Sequence, residues 1–526
     1  MPPLHNFETL VPRARDVADF LLVGTCSQAA PQPDILSDVR MNTHRAQWPR
    51  RISLGVLTLA LCACASVTAP TMMPLGFELP AAWSGSVGQP DVGNASNAAL
   101  VSWWLRFNDP LLSRLITQAL EANTSVRGAQ AALQQARALR DVAGAGLWPS
   151  VGGSASAGRN RSGDNSTNHF QVGLDTSWEL DVFGANRAAV QAADASAQAS
   201  AATLAGVKVS LAAEVALDYI SLRSTQERLA IAQANLSSQQ ETLQLTQWRL
   251  QAGLVTSLEA QQARASVEQT AAQMPALQTT VIQTIHALSV LTGQPPAALA
   301  STLTVVAPVP QVSGNWALAF PADTLRLRQD VRAAEFQVLT AAARVTQADA
   351  ARLPNFKLGG SLGLNALTLG ALSDGASLAA AVLASLSLPV WDAGASQAQL
   401  RAQQAAMAQA HTLYQATVLT ALTEVEDALV ALQGDRVRLL RLQNAFEAAD
   451  IAATLARQRY GSGLVDFQTV LETQRTRLSS QDSVAVARAG VSADQVRLVK
   501  ALGGGLPPGD TIPTLTNPDS SRTPAP

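Results

Sequence analysis

Cysteine is almost missing from this chain: Cys26, Cys62 and Cys64 are the only three in 526 residues, all near the N-terminus. That excludes a disulfide framework, so stability has to come from packing and assembly. Charge is scarce as well, with 14% Asp, Glu, Lys and Arg and a formal net charge of −2. Such a balance gives no reason to expect nucleic acid or an anionic membrane surface as partner. The five histidines, His5, His44, His169, His286 and His411, are scattered, and no His, Cys or carboxylate set has metal-ligand spacing. Gly503-Gly-Gly505 follows a helical stretch instead of opening one, so it is not a phosphate loop. No catalytic constellation, cofactor or metal is expected, and the chain does not read as an enzyme. Proline is missing, and glycine almost so, between Gly184 and Gly253 and again between Gly394 and Gly463.

Those two proline-free stretches are copies of one another at an offset of 210 (394 − 184). Glu214-Val215 recurs as Glu424-Val425, Arg249 recurs as Arg459, and both copies end at Gly-Leu-Val. Each follows an apolar, strand-like segment, Trp178-Glu-Leu-Asp-Val-Phe-Gly184 or Leu388-Pro-Val-Trp-Asp-Ala-Gly394. Ala, Leu, Gln and Arg dominate between the glycines, which predicts a helix about 100 Å long in each copy. A helix of that length cannot be buried in a globular core and must lie along others in a coiled-coil wall. With 47% hydrophobic residues, the chain has large surfaces to bury or to place in lipid.

Near the N-terminus, Met41 opens a secretory pattern. Arg45, Arg50 and Arg51 form a basic flank, Ile52 to Leu61 an apolar run too short to span a bilayer, and Leu61-Cys-Ala-Cys64 follows. The last four residues resemble the lipobox of bacterial lipoproteins, which implies a covalent lipid on Cys64. The expected organisation is an extension ahead of the true start over 1–40, a lipoprotein signal peptide over 41–63 and an N-terminal arm over 64–100. A first repeat over 101–301, a linker over 302–320, a second repeat over 321–505 and a disordered tail over 506–526 complete it.

Within the first repeat, Asp109-Pro110 caps a helix expected to run without a break to about Val142. The period then changes. Ser150 to Gly158 is small and extended, Arg159 to His169 reads as a loop, and Phe170 to Leu180 alternates, with Phe170, Val172, Leu174, Thr176, Trp178 and Leu180 on one face. The second repeat, whose first helix is expected to open at Asp323, supplies another pair, Phe356 to Asn365 and Ser377 to Leu388. Strands of about 10 residues match the apolar thickness of a membrane. Four of them cannot close a barrel, whereas three chains supplying four each can form one of twelve strands. The fold class is therefore an α+β membrane protein, a tandem-repeat helical tunnel joined to a trimeric 12-stranded β-barrel. At the far ends of the long helices, Gly253 and Gly463 cap, and Thr256 with Glu259, or Asp466 in the second copy, starts a returning helix.

The lipobox, Phe107-Asn-Asp-Pro-Leu111, Trp178-Glu-Leu-Asp181, Asp330-Val-Arg-Ala-Ala-Glu335, Leu388 to Gly394 and the paired Gly-Leu-Val tips together resemble the TolC and OprM outer-membrane factor family. More narrowly they are similar to NodT-type outer-membrane lipoproteins of multidrug efflux systems. The resemblance implies a homotrimer in the outer membrane of a Gram-negative bacterium, in contact with outer-membrane lipid and reaching across the periplasm. It also implies a periplasmic adaptor (membrane fusion) protein and an inner-membrane pump as partners. The function implied is a passive exit duct for drugs or other small amphipathic compounds. A polypeptide secretion duct is the alternative within transport, and a coiled-coil envelope stalk the alternative outside it. By the same resemblance, Arg249, Gly253, Leu254, Val255, Arg459, Gly463, Leu464 and Val465 dock the adaptor. Asp466, Gln468 and Glu472 then mark the periplasmic gate, whose closed state calls on neighbouring cations such as Arg457 or Arg459.

Overall fold

A computed structural model describes residues 76–77, 83, 102–312, 325 and 328–504. The extension over 1–40, the leader over 41–63, Cys64, most of the 64–100 arm, residues 313–320 of the linker, Asp323 and the tail lie outside the described residues.

After a 3₁₀ turn at Trp103–Phe107, Asp109 accepts the amides of Leu111 and Leu112 at 2.9 and 3.0 Å and starts α1, Pro110–Ala122. The expected unbroken helix is interrupted at Asn123, and α2 restarts as Thr124–Ala145. Asn, Thr and Ser in a row compete with the helix by bonding to the backbone. Here Asn123 accepts the Ser125 amide at 2.8 Å while its own amide donates to Leu291 O at 2.9 Å.

Two strands follow, β1 (Ser150–Ser162) and β2 (Asn165–Leu180), with β1 paired along its whole length to Asn165 through Ser177. The loop expected over Arg159 to His169 is therefore strand. Polar side chains do not prevent pairing, and Gly163 at φ 61° closes the hairpin with Asp164 in a two-residue turn.

Next comes α3, Ala185–Gln251, whose 67 residues contain no proline. Asp181 caps it by accepting the amides of Asn186 and Arg187, both at 2.9 Å. Helix α4 (Ser257–Leu291) returns antiparallel and leads through the short α5 (Ala300–Leu303) to the linker.

The order then recurs as α6 (Gln329–Ala350), β3 (Asn355–Ala366), β4 (Leu378–Ser387), α7 (Ala395–Gly461) and α8 (Phe467–Ala501). Helix α7 matches α3 in length, and α8 matches α4 at 35 residues. Two expectations need correcting. The first helix of this repeat begins at Gln329 rather than near Asp323, because Arg328 ahead of it is extended, at φ −62° and ψ 135°, with its guanidinium held by Ala501 O. The segment Leu388 to Gly394 is a connector, since β4 ends at Ser387. Its Asp392 accepts the amides of Gly394 and Ser396 and caps α7. The Ser396 hydroxyl and amide hold that carboxyl below the usual range.

Helix α3 packs against α2, α4, α6 and α8, whereas within the chain α7 meets α6 and α8. The main core lies where α1, the middle of α3 and the ends of α4 and α8 converge, around Leu112, Leu115, Ile116, Ile220, Leu288 and Leu498. Arg223 is 1% exposed at its centre. It donates to Val305 O at 2.6 Å, to Gln226 at 2.8 Å and to the Tyr219 hydroxyl at 3.1 Å, and Tyr219 donates in turn to Asp109 at 2.7 Å. Burial and the bond to Asp109 push the Tyr219 hydroxyl up to about 12. The first helix, the linker and α3 are thereby joined through one charge. In the second repeat Arg328 plays the part of Asn123. It donates to Ala501 O at 2.6 Å and adds ion pairs to Asp330 and Glu424, both at 2.7 Å.

Candidate functional site

The four strands form one antiparallel sheet in the order β1-β2-β3-β4, and its register sorts side chains into two unlike faces. Directly opposed residues share a face. Val151, Thr176, Gly360 and Val382 are opposed, and with them run Phe170, Val172, Leu174, Trp178, Leu358, Leu362, Leu364 and Leu386. Gly152, Asp175, Ser361 and Ala381 define the other face, which also carries Ser154, Gln171, Glu179, Lys357 and Asn365. The face predicted for Phe170 to Leu180 is thus continuous across all four strands. Ser154 donates to Asp175 at 3.2 Å, and Lys357 lies 3.8 Å from Glu179, so the polar face is knit by its own contacts. Trp178 anchors the near end through Nε1, which donates to Leu147 O at 3.0 Å.

At the opposite ends of the long helices the two tips have the same turn. Gly253 and Gly463 adopt φ 71° and 74°, and the amides of Leu254 and Leu464 reach back to the carbonyls of Arg249 and Arg459 at 2.8 and 2.9 Å. Only a residue without a side-chain carbon takes this left-handed cap at no cost. Leu254 and Leu464 are 73% and 74% exposed, while Val255 and Val465 are half-buried. The Thr256 amide donates to Glu259 at 2.8 Å, the return half of the capping box.

The tips differ in one respect. Arg249 of the first leans across to the second: its guanidinium sits 4.6 Å from the centre of the Tyr460 ring and faces the carbonyls of Tyr460 and Gly461. The same ring meets Phe467 at 5.5 Å, beside Leu471 and Ala263. Arg457 and Arg459, the cations expected to brace the gate, are exposed and ion-paired to nothing among the described residues; the tip cation that reaches the other repeat is Arg249. Sequence reading passed over Tyr460. The signal was present, because the repeat places Leu250 opposite it in the other copy.

Asp466 caps α8, accepting the Thr469 amide at 2.9 Å. The Thr469 hydroxyl and amide hold its carboxyl below the usual range. Gln468 and Glu472, one turn apart, are exposed on a common face, and Glu472 makes no ion pair among the described residues. Three of the site residues named from sequence are therefore structurally occupied, Gly253 and Gly463 in their turns and Asp466 in its cap. Leu254, Leu464, Gln468 and Glu472 are left presented to the outside of the chain.

Residues 115–294 and 320–504 match the family described as Outer membrane efflux protein. The chain is 31% identical over 475 residues to Nodulation protein T of Rhizobium leguminosarum bv. viciae, covering 90% of this chain and 96% of that protein. It is 33% identical over 473 residues to the pyoverdine export outer membrane protein OpmQ of Pseudomonas putida, covering 87% and 98%. Among solved structures, the outer-membrane channel OprN superimposes with a TM-score of 0.76 at 33% identity, covering 83% of this chain and 99% of that one.

Proposed function

This chain belongs to the outer membrane efflux protein family, and we propose that three copies assemble into a passive duct that carries small amphipathic compounds outward. The family is one of outer-membrane channel proteins that reach into the periplasm. The duct needs no reaction of its own, and a relative named for pyoverdine export supports a small-molecule cargo.

The observation that carries the homotrimer is the unfinished edge of the sheet. With the order β1-β2-β3-β4, both β1 and β4 have one side unpaired. Lipid offers such backbone groups no partner, so only a closed barrel is stable there, and four strands are too few to close one. The helices also call for a neighbouring copy. Val209 and Leu419 occupy equivalent repeat positions, as do Ile220 and Val430. The first-repeat members are 7% and 1% exposed, the second-repeat members 50% and 61%. In the first repeat α6 and α8, which belong to the other repeat, cover α3; α7 packs on α6 and α8 of its own repeat and lacks comparable cover from the other repeat within the chain. A neighbouring copy's α2 and α4 supply it, which turns the two-rod unit into a ring.

The exposed tips then face a periplasmic adaptor protein, behind which stands an inner-membrane pump, and Glu472 with Gln468 lines the mouth between them. Lipid on Cys64 adds a tether to the same membrane. The test is assembly and conductance together. The wild type should run as a trimer by native mass spectrometry and give single-channel steps in planar bilayers. Val430→Asp should leave a folded, helical chain that is monomeric and silent. A trimeric Val430→Asp protein, or a wild type that assembles without conducting, would sink the reading.

A further inference from the structure

Arg159 and Arg161 are the only charged residues on the apolar face of the four strands, and both stand at one end of it. Parity places them there. Val151, Ala155 and Ala157 precede them on β1, and their partners across the hairpin are Asn168 and Ser166, on the same side of β2 as Phe170 and Val172. We propose that these two arginines form a binding surface for the phosphate groups of lipid headgroups in the outer leaflet. The inference rests on the membrane-spanning barrel described above.

Their height fits. The last row that crosses three strands is Ala157, Phe170 and Ala366. Beyond it only β1 and β2 continue, as a projecting ribbon. Arg159 lies two residues past that row and Arg161 four, about 7 and 13 Å along the strand, and less in height once the strand tilts. The headgroup layer occupies roughly 5–7 Å on each side of the hydrocarbon. The end is the outer one, because the strands join α2 and α3 at Ser150 and Leu180 and turn at Gly163, away from every long helix.

Their chemistry fits too. The Nε of Arg159 donates to Ser166 Oγ at 2.7 Å and the Nε of Arg161 to Gly163 O at 3.3 Å. These bonds fix the side chains and leave the terminal nitrogens without a partner among the described residues. No carboxylate pairs with either, Asp164 of the adjoining turn included. A planar guanidinium whose two terminal nitrogens are free matches two phosphate oxygens. Two such groups, about 7 Å apart on one strand, would be repeated three times around the barrel rim.

The test titrates the detergent-purified full-length trimer with diphosphorylated lipid A and with the same lipid stripped of phosphate. Every protein is also checked for single-channel conductance. The wild type should prefer the phosphorylated lipid by about tenfold or more, the scale of one lost charge-assisted bond. Arg159→Gln/Arg161→Gln should lose that preference while conducting normally, and the double Lys variant should keep part of it. A normally conducting double Gln variant that retains the preference overturns the lipid surface alone. So does inorganic phosphate that competes at the lipid's own concentration, since it would mark a free-anion site. A wild type that fails to conduct overturns the barrel reading and this inference with it.

Discussion

Arg249 of the first repeat stacks its guanidinium on the ring of Tyr460 of the second, 4.6 Å from the ring centre, whereas the repeat gives Arg459 only Leu250 to meet. One tip contact is thus aromatic and lies within the chain. Its repeat-related counterpart, between neighbouring chains of a trimer, has no ring.

Removing that ring should loosen the periplasmic mouth. A cation–π contact at a partly exposed site contributes about 0.5–1 kcal/mol, and three per trimer shift a closed-to-open equilibrium by roughly ten- to a hundredfold. Tyr460→Leu and Arg249→Gln are expected to raise open probability in bilayer recordings. Tyr460→Phe keeps the ring and discards a hydroxyl that is buried without a hydrogen-bond partner, so it should gate like the wild type. Equal behaviour of the Leu and Phe variants would assign closure elsewhere.

Two glycines with the same backbone conformation should respond oppositely to alanine. At Gly463, φ 74°, an added methyl would meet nothing within 4 Å, so the cost is the left-handed backbone alone, about 1–2 kcal/mol in one turn. At Gly293, φ 73°, it would lie 2.7 Å from Ala122 O, and α4 would have to move off α1. Gly463→Ala is expected to yield normal trimer with impaired efflux in cells, and Gly293→Ala to lose trimer yield. Gly253→Ala should follow Gly463→Ala. Full drug resistance in both tip variants would remove these turns from adaptor docking.

Glu472 is presented on α8 with no ion pair among the described residues, so three copies would place three carboxylates around one mouth. Glu472→Gln should weaken cation selectivity and block by multivalent cations, with the trimer intact. If block by such cations is unchanged in the variant, the constriction lies at another level of the tunnel.

Acid should unfasten the junction of α6, α7 and α8. Burial pushes the Asp330 carboxyl upward, but the hydrogen bonds and charge of Arg328 override it and hold the group below the usual range. A carboxyl lowered by folding stabilises the native state above its unfolded value near pH 4, and that contribution fades as the pH falls through the folded value. The melting-temperature gap between wild type and Arg328→Met should be largest near neutrality and narrow toward pH 3. A gap constant with pH would mean that Arg328 acts only through its bond to Ala501 O.

Much of this protein could be read from local chemistry. Helix length followed from the absence of proline between Gly184 and Gly253, the tips from glycine at a helix end, and the apolar sheet face from the alternation of Phe170 to Leu180. Each is set by neighbours within a few residues, where sequence and conformation are directly coupled. The stretch from Arg159 to His169 was not legible in this way. Its polar side chains look like a loop, and only pairing with the opposite strand makes it a ribbon. The break at Asn123 depends on the Leu291 carbonyl 168 residues away, and the start of α6 on Arg328 reaching the Ala501 carbonyl 173 residues away. The contact of Arg249 with Tyr460 needs both tips side by side. The burial of Val209 and Ile220 against the exposure of Leu419 and Val430 was likewise decided only in three dimensions, because equivalent residues in a repeat have different neighbours once one repeat packs on the other.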